Sequence, residues 1–134
     1  MANSNYLRGE KFTMGYVYDF EVDGGAIGTI NLRQFVNSEI NSEFRVVGCY
    51  ALVGPDDPLA SAGTPTLTFG NLDNAAAYLP DSWAGLTDNG ILAAKNNTLL
   101  ERLNTDNEQV TTMTIGVAAI TAGKLTFYLD LMLP

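Results

Sequence analysis

The amino-acid sequence predicts an all-β protein: a single antiparallel β-sandwich domain, jelly-roll-like, with one or two short helices in its middle loops. Three observations carry that expectation. Between Gln109 and Pro134 two apolar, Thr-rich runs flank the turn Thr121-Ala122-Gly123. In the second run Leu125, Phe127, Leu129, Leu131 and Leu133 alternate with Lys124, Thr126, Tyr128 and Asp130, a period of two that belongs to strands and not to helices. Near the start, Phe12, Met14, Tyr16, Tyr18, Phe20 and Val22 alternate with Thr13, Gly15, Val17, Asp19 and Glu21, a strand with one aromatic face. The run Thr64-Pro-Thr-Leu-Thr-Phe-Gly70 repeats the texture of Thr112-Met-Thr-Ile-Gly116.

The elements follow in order. Residues 1–11 are polar and read as an N-terminal arm, with the sandwich domain spanning 12–134. Asp23-Gly24-Gly25 is a hairpin-type turn, so Phe12 to Leu32 is expected to form a first hairpin. Arg33 to Asn41 is a polar connection. Phe44 to Val53 is apolar on both parities, as in a strand covered on both faces, within a sandwich or at a subunit interface. Gly54-Pro-Asp-Asp-Pro58 breaks that strand. Thr66 to Phe69 is a short strand closed by Gly70. Asp73 to Leu79 reads as a short helix, capped by Asp73 and stopped by Pro80, and Asp81-Ser-Trp83 as the opening of a second helical turn. Ile91 to Ala94 is a short strand, and the two Thr-rich runs form a closing hairpin. About seven or eight strands result. Long middle loops favour a sandwich or jelly roll over an up-and-down barrel.

A chain of 134 residues is one domain by length and long enough to bury a core. Apolar content of 46% with 16% charged residues is that of a globular fold. The net charge of −8 repels phosphate backbones and argues against nucleic-acid binding. No stretch approaches the ~18 apolar residues of a membrane helix, and no secretory signal is visible. A soluble protein not exported by a cleavable signal is expected, and the single cysteine fits cytoplasmic synthesis.

The chemistry available to an enzyme is thin. The chain has no histidine, which removes the commonest general base and metal ligand. Its single cysteine, Cys49, lies in an apolar run without a partner to activate it, and reads as a buried structural thiol. Asp19, Glu21 and Asp23 lack the spacing of a calcium loop and read as the solvated face of a strand. Asp56 and Asp57 belong to turn chemistry. No phosphate loop or nucleophile elbow is present, and Asn96-Asn97-Thr98 is a chance sequon. Trp83 with Tyr6, Tyr16, Tyr18, Tyr50 and Tyr78 would line a glycan site if exposed in a groove; buried, they are core. No enzyme, cofactor or metal site is expected.

The order of these segments resembles a known family. Gly28-Thr-Ile-Asn-Leu32 is followed by the apolar strand Val46 to Val53 and by Gly63-Thr-Pro-Thr-Leu-Thr-Phe-Gly70. Asn71-Leu-Asp-Asn-Ala-Ala-Ala-Tyr-Leu-Pro80 comes next. The chain ends in Thr114-Ile-Gly-Val-Ala-Ala-Ile-Thr-Ala-Gly-Lys-Leu-Thr-Phe-Tyr-Leu-Asp130 and a few residues more. Over residues 26–134 this resembles small virion proteins of tailed bacteriophages, of the head decoration (auxiliary capsid or cement) kind or minor virion structural proteins. The resemblance implies a non-enzymatic subunit that binds the major capsid protein lattice as a homo-oligomer, expected to be a trimer, on the outer capsid surface of the virion. It supplies no catalytic residues. Candidate oligomer or capsid contacts are Phe12, Tyr16, Tyr18 and Phe20 on the first strand, and Val47, Cys49, Ala51 and Val53 on the doubly apolar one. The competing reading is a head-fibre or tail-associated module that recognises a host-surface glycan.

Overall fold

The structure, a computed structural model, describes residues 11–36, 45–84, 86, 91–94 and 110–132. Its strands are β1 (Lys11–Asp19), β2 (Gly28–Asn31), β3 (Arg33–Val36), β4 (Arg45–Leu52), β5 (Ala60–Ser61), β6 (Thr66–Asn71), β7 (Ile91–Ala94), β8 (Thr111–Gly116), β9 (Ile120–Ala122) and β10 (Lys124–Met132). One four-residue helix, α1 (Phe20–Asp23), follows β1. The strands form a five-stranded sheet in the order β3-β1-β10-β4-β7, a three-stranded sheet β2-β8-β6, and a two-stranded ribbon β5-β9. Every pairing is antiparallel. The all-β sandwich predicted from period-two patterning is the observed architecture.

The core lies between the two larger sheets, and alternation decides which side chains enter it. Leu125, Phe127, Leu129 and Leu131 of β10 are buried, while Thr126, Tyr128 and Asp130 are half-exposed on the outer face. Met14, Tyr16 and Tyr18 of β1 join them from one side, and Val46, Cys49 and Ala51 of β4 from the other. The facing sheet contributes Leu67 and Phe69 of β6 with Met113 and Ile115 of β8. The sheets meet where Phe69 stacks on Phe127, with centroids 4.6 Å apart and planes 10° from parallel. The two Thr-rich runs share a texture because they are neighbours. β6 and β8 pair from Thr66↔Gly116 to Asn71↔Thr111, with Leu67, Phe69, Met113 and Ile115 buried and Thr66, Thr68 and Thr114 half-exposed, while Thr111 and Thr112 are buried. On the outer face Thr29 and Thr114 hydrogen-bond through their hydroxyls at 3.0 Å.

Neither expected hairpin forms. β1 pairs with β10 and β3, whereas β2 pairs with β8 in the other sheet. The chain turns out of the first sheet because Asp19 caps α1, its carboxylate accepting the Glu21 N–H at 3.0 Å. Gly24 then adopts φ 77°, a left-handed conformation that glycine tolerates, and its carbonyl accepts the Tyr18 hydroxyl at 2.7 Å. At the C-terminal end, β8 and β10 also belong to different sheets. Between them β9 pairs with β5 and sends the Ile120 N–H to the Gly25 carbonyl at 2.8 Å. The expected polar connection after Leu32 contains β3, which returns to β1 after the Leu32 N–H bonds the Thr111 carbonyl at 2.9 Å.

Two further corrections have local causes. Residues 73–79 form turns and no helix. They run along the edge of β6, where Phe69 exchanges backbone hydrogen bonds with Tyr78 and Leu79, and Asn71 N–H bonds Asn74 O. Sealing an otherwise open strand edge outweighs the weak helix preference of three alanines. The turn after Asp81 is helical, with Leu86 N–H bonded to Ser82 O at 3.1 Å. In β4, the register steps from Asp130↔Gly48 to Leu131↔Val46, so one extra residue, Val47, is accommodated as a bulge. The bulge reverses the parity, which is why Val46 and Cys49 both point into the core and the run looks apolar on both parities.

Candidate interaction surface

The eight residues expected at an interface divide by burial. Tyr16, Tyr18, Cys49 and Ala51 are buried in the subunit's own core, and their side chains are closed to a partner in this fold. Alternation marks an apolar face but does not say whether the facing layer belongs to the same subunit or to another. Here that layer is β6 and β8. Cys49 lies beneath the 72–82 loop, its Sγ donating to the Tyr78 carbonyl at 3.7 Å. Phe20, Val47 and Val53 are half-buried, with Phe20 and Val53 packed at the rim of the core. Phe12 pairs through its backbone with Leu131, and its side chain lies outside the described set.

The aromatic set is mostly internal. Tyr16, Tyr18 and Tyr78 are buried, and Trp83 packs half-buried against the core. Tyr6 and the sequon at Asn96 lie outside the described residues. The exception is on the outer face of the five-stranded sheet. There Tyr50 of β4 stacks on its cross-strand partner Tyr128 of β10, with centroids 4.8 Å apart. Val17, Leu52 and Thr126 continue this half-buried face toward the loops, with Val17↔Thr126↔Leu52 in register. Beyond them a depression of about 380 Å³ opens between Val17, Leu52, Asp56, Asp57 and Lys124.

Two of the three acids at the end of β1, Asp19 and Asp23, do structural tasks, and Glu21 is exposed. Asp19 caps α1. Asp23 accepts both the Asp19 N–H at 2.9 Å and a two-pronged contact from Arg33, whose Nε and Nη2 lie 3.2 and 2.9 Å from its carboxylate oxygens. Burial pushes the Asp23 carboxyl up, but the Arg33 hydrogen bond, the Asp19 N–H and the Arg33 charge together hold it below its ordinary value. The alternating acidic face expected over Asp19, Glu21 and Asp23 is interrupted by α1.

Tyr18, next to these carboxylates, is pushed up to about 12, first by burial and then by the charges of Asp23 and Asp19. Its phenol therefore holds its proton more tightly in the folded chain than in the unfolded one. The associated stability is present in full below the ordinary tyrosine value of 10.0 and is lost as pH rises from there toward about 12. Burial raises Tyr16 and Tyr50 as well. Urea midpoints measured from pH 8 upward are expected to stay level to about pH 10 and then fall. Tyr18→Phe should start lower, for want of the Gly24 hydrogen bond, and fall less steeply. An equally steep alkaline decline in that variant would remove Tyr18 from the explanation.

No protein-family model matches the sequence, and no curated protein matches it. Among solved structures, the chain is similar to one in the capsid asymmetric unit of cyanophage Pam1. The alignment covers 100% of this chain and 92% of that one, with a TM-score of 0.65 and 17% sequence identity. The two chains therefore share a fold from end to end.

Proposed function

We propose that the chain is a non-enzymatic virion structural protein, a capsid decoration or cement subunit that binds the major capsid protein lattice on the outside of the head. The observation that carries this reading is the whole-chain likeness to a component of a phage capsid. It agrees in kind with the segment order that resembles phage head decoration proteins. The burial of Tyr16, Tyr18 and Tyr78 supports it against a glycan-binding groove, which needs such rings at the surface.

In this reading the subunit works without chemistry. Many weak contacts repeated over a lattice multiply through avidity, most effectively from a homo-oligomer such as a trimer. Phe20, Val47, Val53 and the half-buried face around Tyr50 and Tyr128 provide apolar area for contacts between protomers. Residues 1–11 are assigned to docking on the shell or on a neighbouring subunit, where an extended segment can add to an open strand edge. The surplus of acidic groups keeps free subunits soluble and apart from packaged nucleic acid.

Light scattering of the purified protein should give a discrete oligomer, and the protein should co-sediment with empty capsid shells of the phage that encodes it. A stable monomer that leaves those shells bare would overturn the proposal.

A further inference from the structure

One end of the sandwich is built from α1, residues 24–27, the loop after β4 and residues 116–123. The Gly28↔Ile115 pair and the Ile120 N–H to Gly25 carbonyl bond tie the 26–27 and 116–119 segments together there. Three of the four large apolar side chains that stand exposed among the described residues are at this end: Val22 (64%), Ile27 (59%) and Val117 (76%). The fourth, Leu72, is beside Asn71 at the far end of β6. A concentration of exposed apolar side chains at one end marks a contact surface more than scattered exposure would.

Val117 is also held in an unfavourable backbone conformation. Its φ is 70°, and the Ala118 N–H closes back on the Gly116 carbonyl at 2.8 Å, forming a γ-turn with positive φ at its centre. A β-branched residue is a poor choice there for folding, since glycine, with no Cβ, fits with less strain. The chain nevertheless presents an exposed valine at this tip, which is a reason to look for function.

The surroundings are acidic. Glu21, Asp56 and Asp57 are exposed, and Asp19 and Asp23 stand next to them. The cations facing them among the described residues are Arg33, which is paired to Asp23 at 2.9 Å, and Lys124, which is 3.8 Å from Asp19. The adjoining depression is lined by Val17, Leu52 and Leu125 with Asp56, Asp57 and Lys124, the last of these 3.8 Å from the Asp19 carboxylate. An apolar lining next to carboxylates fits the aliphatic stem and charged head of a lysine or arginine.

We propose that this loop end is a docking surface of the protein, and that its occupant is a protein surface with an apolar spot ringed by Lys and Arg side chains. The inference rests on the shell-binding reading above and names the partner chemistry within it. Charge complementarity selects this occupant: a second copy carries a net charge of −8 and offers few cations to ring the spot, and nucleic acid would set phosphates against the acids.

The test is quantitative co-sedimentation with empty shells of the encoding phage, at low and high salt. Wild-type binding should weaken as salt rises. Val117→Asn removes both the apolar tip and the β-branch. It should retain or raise the thermal midpoint while weakening shell binding about tenfold or more, a separation that a merely structural role does not produce. Asp56→Lys/Asp57→Lys, on exposed positions, should fold and bind at least as weakly, with the salt dependence reduced. If wild type binds shells and both variants bind equally well, the loop end is not the contact and only this inference falls. If wild type ignores the shells, the shell-binding reading falls and takes the inference with it. A drop in oligomer mass for Val117→Asn would assign the tip to a second copy and overturn the proposed partner.

Discussion

Phe127→Ala is expected to remove about 3–5 kcal/mol of folding stability, the range for deleting a fully buried aromatic ring. Phe127 sits in β10, the central strand of the larger sheet, and has no exposed surface. Its ring stacks on Phe69 from the facing sheet at 4.6 Å and lies 6.2 Å from Tyr78 of the loop that seals β6. One truncation therefore hollows the point where sheet, facing sheet and covering loop meet. Sheets constrained by ladder hydrogen bonds on both sides close such a void only partly. Against a total stability of about 5–15 kcal/mol for a domain, the loss is large enough to unfold part of the population at 25 °C. Urea denaturation should show a lower midpoint with little change in slope. A loss below about 1 kcal/mol would mean that the sheets do not pack through this ring.

Gly25→Ala is expected to be comparably damaging, for a steric and not a hydrophobic reason. A Cβ on Gly25 would collide with the Ile120 carbonyl oxygen and lie 2.8 Å from its carbon. Those atoms are backbone, and Gly25 O also accepts the Ile120 N–H at 2.8 Å, so the two strands of chain must separate to admit a methyl group. Overpacking of side chains costs about 1–3 kcal/mol; displacing backbone at a junction between sheets belongs at or above the top of that range. Gly54→Ala is the control. Its Cβ would meet nothing within 4 Å, and its φ lies outside the left-handed region. That variant should be neutral or gain a few tenths of a kcal/mol through a less flexible unfolded chain. Thermal midpoints of the two variants measured side by side decide the matter: equal midpoints would mean that Gly25 does not touch Ile120.

Specific residues show what was legible in the sequence. Leu125, Phe127, Leu129 and Leu131 were assigned to one face by their spacing and are buried together. The same reasoning placed Met14, Tyr16 and Tyr18 on one face. It could not say that this face is internal to the subunit, and so read Tyr16 and Tyr18 as contact residues. For Val46 to Val53, a bulge at Val47 mimics a strand with two buried faces. No residue in that run announces a bulge, since the extra residue is defined only against the partner β10. The loop-end surface was missed for a related reason. Val117 is far in sequence from Val22 and Ile27, all three stand among turn residues, and exposure of an apolar side chain has no signature in a single sequence.

The sequence by itself determined the fold class and the common face of β1 and of β10, because side-chain direction alternates along extended backbone whatever lies beside it. Its lack of histidine and its acidic balance also narrow the available chemistry. Tertiary structure alone decided which strands are neighbours: β1 beside β10, β6 beside β8, and β2 divided from β1 by a capped turn and a left-handed glycine. Pairing is a long-range choice. It is settled by which faces can close a common core and which edges can be sealed, and those quantities exist only once distant segments have met.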